Sequence, residues 1–169
     1  MYGQETIVRY LQDAEAAERT FEDALASLSK TADQPEVRSA LASMSQKART
    51  QRERLQARIE ALGGSRSSVK SALAHALAFA PRLAQMGETE GQKSTQDLLI
   101  TIAAAAAESA MYEALATATA AAGDAYTEQL ARQLQNEERE DYQQAAALLR
   151  QSAIQAFQQA MNEGASHGD

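Results

Sequence analysis

The sequence predicts an all-α protein: a ferritin-like four-helix bundle with an additional shorter crossover helix, five helices in all. Three observations favour this fold. The 169 residues include 44% hydrophobic but only 5% aromatic residues, no Trp and two Pro, a composition typical of long helices. Apolar residues recur at steps of three and four along four long segments. These segments form two hairpins joined by a long connection, which a ferritin-like bundle requires between its second and third helices.

The first predicted hairpin spans residues 4 to 64. Its first helix covers residues 4 to 31. The second helix begins after Asp33, a candidate N-cap, with Pro35 in its first turn, and ends before Gly63, because glycine permits the left-handed conformation that follows a helix. The inward face of the first helix carries Ile7, Leu11, Ala14, Glu18, Phe21, Leu25 and Leu28, and that of the second carries Val37, Leu41, Met44, Ala48, Gln51, Leu55 and Leu62.

The second predicted hairpin follows a connector. Residues 65 to 87 predict the crossover helix, bent or interrupted near Pro81. A helix then runs from about residue 95 to 122, stops at Gly123, and is followed by a helix from about residue 126 to 161. Their inward faces carry Leu98, Ile102, Ala105, Glu108, Tyr112, Leu115 and Thr119 on the first, and Leu130, Leu134, Glu138, Asp141, Ala145, Leu148 and Ser152 on the second.

The length and charge of the chain limit its organisation and partners. We expect a single domain over residues 1–163 and a flexible C-terminal tail over residues 164–169. A formal net charge of -7 argues against general binding to nucleic acid or to an anionic membrane surface. The absence of Cys excludes disulfides and thiolate metal sites and fits a cytoplasmic protein. We also expect no secretion signal and no membrane-spanning segment.

Three of the long helices carry acids on a face that is otherwise apolar. Glu18 lies on the first helix, Glu108 on the third, and Glu138 with Asp141 on the fourth. An unpaired carboxylate in a bundle core is costly, so each should be protonated, paired with a cation or bound to metal. Di-iron and di-manganese bundles use one Glu from each of two helices and a Glu-x-x-His pair from each of the other two. Glu138 and Asp141 have this spacing, with Asp in place of His.

The second helix does not complete this pattern. At the level of the acids its inward residues are Ala48 and Gln51, and the only histidines are His75, in the connector, and His167, in the tail. We interpret His75 as a packed or surface residue. The remaining donors are the four carboxylates, the Gln51 amide and the hydroxyl of Tyr112, which either bonds a carboxylate or fills the core. An all-oxygen set suits one Mn²⁺, Mg²⁺ or Ca²⁺ better than a tight di-iron pair.

Three segments together carry a family pattern. They are AERTFEDALASLSKTA (residues 17–32), EVRSALASMSQKARTQRERLQARIEALGG (residues 36–64) and ESAMYEALATATAAAGDAYTEQLARQLQNEERED (residues 108–141). These segments resemble the YciF/YciE-type ferritin-like proteins, a bacterial stress-associated family. The resemblance covers roughly residues 5 to 152, nearly the whole predicted bundle.

The resemblance implies a five-helix bundle, commonly a homodimer, with a di-metal site like that of ferritins and rubrerythrins. It places family positions at Glu18, at Glu108 followed by Tyr112, and at the acid pair Glu137 and Glu138. The family's acid and His on the second helix fall on KARTQRERL, residues 47–55, where Gln takes the His position and no acid precedes it. The family's additional acid before the third-helix Glu falls in the alanine run. The chain therefore departs from the pattern at about half of its ligands.

Two hypotheses for the function stay open. In the first, the degenerate carboxylate site binds one divalent cation weakly, or a weak pair, with Fe or Mn as the expected metal, and any activity is of the di-iron oxidase or peroxide-handling type. Its expected ligands are Glu18, Glu108, Glu138 and Asp141, with Gln51 and Tyr112 beside them. In the second, no metal is bound and the protein is a non-enzymatic structural or interaction protein. The acids are then neutralised by protonation or by Lys47 and Arg52, which flank the missing ligand positions.

Two further features concern partners. Ile154, Phe157 and Met161 extend the apolar stripe past the level where the shorter helices should end, so they predict either a homodimer contact or a fold-back onto the bundle. The Ala-rich helices also suggest a protein that coats apolar granules, like a phasin. Such a protein should lack acids on its inward face, which contradicts that class.

Overall fold

The protein is built from four long helices in two hairpins. The computed structural model describes residues 2–65 and 92–166. Within these ranges every regular element is helical, which confirms the all-α prediction and the four-helix bundle. The helices are α1 (Tyr2–Thr31), α2 (Pro35–Ala61), α3 (Lys93–Ala121) and α4 (Ala125–Ser166). The predicted crossover helix, with His75, lies outside the described residues.

Two glycines end the second and third helices. Gly63 and Gly123 have φ angles of 76° and 74°, the left-handed region that glycine adopts without strain. After each helix, two backbone N–H groups bond back to carbonyls of the last turn: Gly63 to Glu60 and Gly64 to Ile59 after α2, and Gly123 to Ala120 and Asp124 to Thr119 after α3. This pairing is the Schellman motif, and it confirms both predicted helix ends.

The apolar clusters show which ends of the helices lie together. Ile7 near the start of α1 lies in one apolar cluster with Ile59 at the end of α2 and Leu115 near the end of α3. Phe21 shares the other cluster with Leu98 near the start of α3. Helices α2 and α3 therefore run in the same direction, and the chain must cross the length of the bundle between them. This is the long connection that the ferritin-like topology requires.

The core has two apolar halves. One half contains Leu11, Leu55, Tyr112 and Leu134, and the other contains Phe21, Leu25, Leu41, Met44 and Leu98. The inward faces predicted from the helical period are buried in all four helices, apart from the partly exposed Leu28, Leu62, Ile102 and Leu148. The acidic residues of the sequence pattern lie between these halves, halfway along the bundle.

Helix α4 is much longer than its neighbours. It has 42 residues, against 30, 27 and 29 in α1, α2 and α3, so its last turns extend beyond the bundle by roughly 20 Å at 1.5 Å per residue. The helix continues to Ser166, whereas a flexible tail was predicted from residue 164. Its Ala and Gln residues favour helix, and Gly164 opposes it by only about 1 kcal/mol.

In the part of the chain that the structure describes, one helix, α3, could cross a membrane by its length and composition alone, with a window of mean hydropathy 1.4. This is weak evidence, because the core helix of a soluble bundle meets the same criterion. The expectation of no membrane-spanning segment stays a prediction.

The predicted N-cap of α2 is wrong. The residue at the N-cap position is Gln34, and its side chain makes no capping bond. Asp33 instead accepts hydrogen bonds from the backbone N–H and the hydroxyl of Ser94, in the first turn of α3. The hydroxyl of Ser94 in turn accepts the backbone N–H of Gln34 at 3.0 Å. Asp33 is therefore used to satisfy a free N–H of α3, because the tertiary fold brings the start of that helix beside it.

We predict that Asp33→Ala lowers the free energy of unfolding by about 1 to 2 kcal/mol, since it removes a cap from α3 and one of the polar contacts between the two hairpins. Urea denaturation measures the change. Asp23→Ala, on the exposed face of α1, is the matched control and should change stability by less than about 0.5 kcal/mol. In a double-mutant cycle Asp33→Ala and Ser94→Ala should be non-additive; additive losses would contradict the assigned contact.

Candidate metal centre

Three helices bring a glutamate to one point in the middle of the bundle. Glu18 of α1, Glu108 of α3 and Glu138 of α4 are all fully buried. One carboxylate oxygen from each lies within 4.8 Å of the others. The 3.6-residue period puts each acid on the inward stripe of its helix, and the packing of the two hairpins puts the three at one level.

Two neutral side chains bond to the cluster. The hydroxyl of Tyr112 donates to Oε1 of Glu18, and Nε2 of Gln51 donates to Oε1 of Glu138 at 2.9 Å. Both alternatives given for Tyr112 are found together, since the side chain is fully buried and its hydroxyl bonds a carboxylate across the bundle. The second oxygens of Glu18 and Glu138 and both oxygens of Glu108 are buried without a hydrogen-bond partner. The cluster therefore offers four carboxylate oxygens that lack a donor.

Burial and mutual repulsion favour the protonated forms of these acids. Burial is the largest cause that raises the pKa of Glu18 and Glu108 well above 4.5, followed by the charge of Glu138 on Glu18 and of Glu18 on Glu108. The pKa of Glu138 rises to about 7, again mainly through burial. A protonated Glu108 can donate a hydrogen bond to Glu138. Without a cation, the cluster therefore keeps protons to a higher pH than ordinary glutamates do.

The fourth predicted ligand, Asp141, is bonded to a cation of the protein itself. Its carboxylate is buried, and Oδ1 lies 2.5 Å from Nζ of Lys47 on α2. Burial raises the pKa of Asp141, and the hydrogen bond and charge of Lys47 act in the opposite direction. The structure thus places Asp141 one turn from Glu138, but in an ion pair.

Other predicted contacts of α2 differ from the expectation. Lys47 pairs with Asp141 and not with any of the three glutamates. Arg52, the other residue expected to neutralise the cluster, pairs with Glu22 at 2.8 Å, because its position on the helix turns it toward α1. Glu137, which the family resemblance placed beside Glu138, faces outward and binds Arg54 at 2.7 Å.

Sequence reasoning missed two acids near the cluster. Glu15 is fully buried and pairs with Arg19 at 2.7 Å. Glu22 forms ion pairs with both Arg49 and Arg52 of α2. The four-residue spacing of Glu15 and Arg19 was a usable signal, whereas the Glu22 pairs join residues on different helices and leave no local pattern.

The geometry and donor set suit one hard divalent cation. Oxygen ligands bound at about 2.0 to 2.6 Å lie no more than about 4 to 5 Å apart across a cation, in agreement with the 4.8 Å spacing of the cluster. Four buried oxygens without a donor are the ligands such a cation prefers. Ala48, Ala104 and Ala105 are also buried and contribute only methyl groups, so among the described residues Asp141, paired with Lys47, is the one further carboxylate of the expected ligand set.

Comparison with known proteins agrees with this architecture. The family model described as "Domain of unknown function (DUF892)" matches residues 4–162. The chain belongs to this family. Comparison with curated proteins finds no match.

Three solved structures are similar to this DUF892 chain. A protein from Xanthomonas campestris has a TM-score of 0.79 and 21% identity and covers 95% of this chain and 99% of its own. YcfI from Rhodopseudomonas palustris, described as "a putative structural protein", has a TM-score of 0.77 and 20% identity, and the match covers 85% of this chain and 92% of YcfI. The stress protein YciF of E. coli has a TM-score of 0.77 and 18% identity, and the match covers 90% of this chain and 97% of YciF. The resemblance to the YciF-type family is confirmed, and the likenesses show a shared fold.

We predict that the metal-free protein loses stability as the pH rises from about 5 to 8. Below 4.5, the ordinary pKa of a glutamate, folded and unfolded chains are both protonated. Above it the unfolded chain releases protons first, because the folded pKa values are raised, so the unfolded state is favoured progressively. Urea denaturation in chelator at several pH values measures this fall.

Glu108→Gln should reduce the fall, since the amide neither ionises nor repels Glu18 and Glu138. The exposed Glu53→Gln is the control and should follow the parent protein. An unchanged pH dependence in Glu108→Gln would contradict the raised pKa of Glu108.

Proposed function

We propose that this ferritin-like bundle binds one divalent cation, Fe or Mn, between Glu18, Glu108 and Glu138. One observation carries the proposal: four carboxylate oxygens of these residues are buried together without a hydrogen-bond donor. Buried polar atoms in folded proteins are nearly always paired, so the arrangement calls for either protons or a cation.

A cation at this site offsets the electrostatic cost of burying the carboxylates more completely than protons do. Protonation removes the charge of a carboxylate, and each proton can pair one carboxylate oxygen with another, whereas one divalent cation compensates two charges and coordinates several oxygens at once. Protons and the cation compete for the same groups, so binding should weaken as the pH falls.

The residues around the cluster would orient the ligands. Tyr112 fixes the carboxylate of Glu18 and Gln51 fixes that of Glu138. Burial raises the pKa of Tyr112 well above its ordinary value, as does the charge of Glu18, so the phenol remains a neutral donor. A bound Fe or Mn would supply one-electron redox chemistry, and oxidase or peroxide-handling activity is proposed only on that condition.

A non-enzymatic structural protein is the second candidate. It is favoured by Gln51, a neutral amide in a position where a ligand would be expected, and by Lys47, which pairs with Asp141. One structural neighbour is described as a structural protein and another as a stress protein. For this chain, a stress-associated role, a cytoplasmic location and the absence of nucleic-acid and membrane partners are proposals.

We predict that Mn²⁺ raises the melting temperature of the protein. A ligand that binds only the folded state stabilises it by about 2.7 kcal/mol at a hundredfold excess over Kd. Differential scanning fluorimetry with added Mn²⁺ or Fe²⁺, and metal analysis after purification without chelator, measure this. Glu108→Gln should abolish the shift and Glu53→Gln should retain it. No bound metal and no shift with either cation would reject the metal function and leave the structural role.

We further propose a homodimer through the extension of α4. Ile154, Phe157 and Met161 are 59%, 67% and 61% exposed, and their spacing places them on one face of the helix. The alternative fold-back onto the bundle does not occur in the described residues, since α4 continues to Ser166. An apolar face of this size on a rigid helix suits the same face of a second copy.

We predict that Phe157→Glu converts the dimer to a monomer, because it puts a charge into the apolar contact. Light scattering after size exclusion measures the mass. Gln158→Glu, one residue further on an exposed position of the same helix, is the control and should remain dimeric. A parent protein that is monomeric throughout would overturn the proposal.

A further inference from the structure

We propose that the ammonium group of Lys47 takes the place of a second metal ion, so that this bundle holds one cation where a di-metal bundle holds two. The inference rests on the proposed function. It assigns Lys47 as the residue that determines the metal stoichiometry, and it follows from the ion pair with Asp141 and the distribution of charge around the four acids.

The contacts between α2 and α4 form an ordered series on one side of the cluster. Lys47 reaches Asp141 at 2.5 Å, and one turn further along α2, Gln51 reaches Glu138 at 2.9 Å. Both bonds lie on the inward side of the helices, with Asp141 and Gln51 almost completely buried. A cation shared by Glu138 and Asp141 would have to lie among these same groups, where the ammonium already bonds to the Asp141 carboxylate.

The charge of Lys47 acts on Asp141 and Glu138. Burial alone would lower the pKa of Lys47, but the hydrogen bond and charge of Asp141 raise it, so the side chain stays cationic. Its charge also opposes the rise in the pKa of Glu138. The largest influences on Glu108, after burial, are the carboxylates of Glu18 and Glu138.

The other cations of α2 near this level are already paired elsewhere. Arg49 and Arg52 both bind Glu22. Glu18 and Glu108, from α1 and α3, therefore face Glu138 with no cation assigned to them among the described residues, while Asp141 has its own. The buried, unpaired carboxylate oxygens of the four acids belong to Glu18, Glu108 and Glu138 and none to Asp141, so a single metal ion fits among those three glutamates.

Lys47→Met tests the inference, because it removes the ammonium and retains most of the length of the side chain. Equilibrium dialysis with Mn²⁺ should give one ion per chain for the parent protein and two for Lys47→Met. Electron paramagnetic resonance of the variant should show the broadening of two coupled Mn²⁺ ions. The double variant Lys47→Met with Asp141→Asn should return to one.

Arg52→Met, which loses an ion pair of the same helix away from the cluster, is the matched control and should stay at one ion. Lys47→Gln serves if Lys47→Met does not fold, since its amide can still bond Asp141 without a charge. One ion in the parent and one in both Lys47 variants would overturn the inference alone. Two ions in the parent would also overturn it, and no ion in the parent would reject the proposed function itself.

Discussion

The burial of three carboxylates between two apolar halves of the core is the constraint on which the rest of the site depends. Water cannot solvate Glu18, Glu108 and Glu138 there, so every compensation must come from protons, from a bound cation or from side chains of the facing helices. The side chains supply part of it. Tyr112 and Gln51 each satisfy one oxygen, and the four that remain give the middle of the bundle a capacity for binding that its apolar halves lack.

The compensation is unequal between the two sides of the bundle. The surface shared by α2 and α4 is joined by polar pairs along its length, from Lys47 with Asp141 to Arg58 with Asp124 at 2.8 Å. On the other side, buried alanines of α3 lie in the turn before Glu108. Under the proposed function, the Gln51 amide and the Lys47 ammonium occupy the side of the cluster where a second metal ion would need ligands.

Local sequence patterns predicted most of the fold. The period of apolar residues identified four long helices and their inward faces, because burial of one stripe repeats every 3.6 residues. Gly63 and Gly123 marked the ends of α2 and α3, because their backbone conformation favours glycine. The cap at Asp33 was predicted wrongly, since the same carboxylate can serve a helix that follows it or one that packs beside it. Sequence spacing does not distinguish these two uses.

The sequence by itself determined that acids lie on the inward faces of three helices, and that the second helix places the Gln51 amide and no acid at their level. These facts follow from helical period alone. Only the tertiary structure decided which acids meet. It brought oxygens of Glu18, Glu108 and Glu138 within 4.8 Å of one another and turned Glu137 outward to Arg54. It also paired Lys47 with Asp141 and Arg52 with Glu22. The physical reason is that long cationic side chains reach partners on other helices, and the relative rotation and level of the packed helices determine which partner lies within reach.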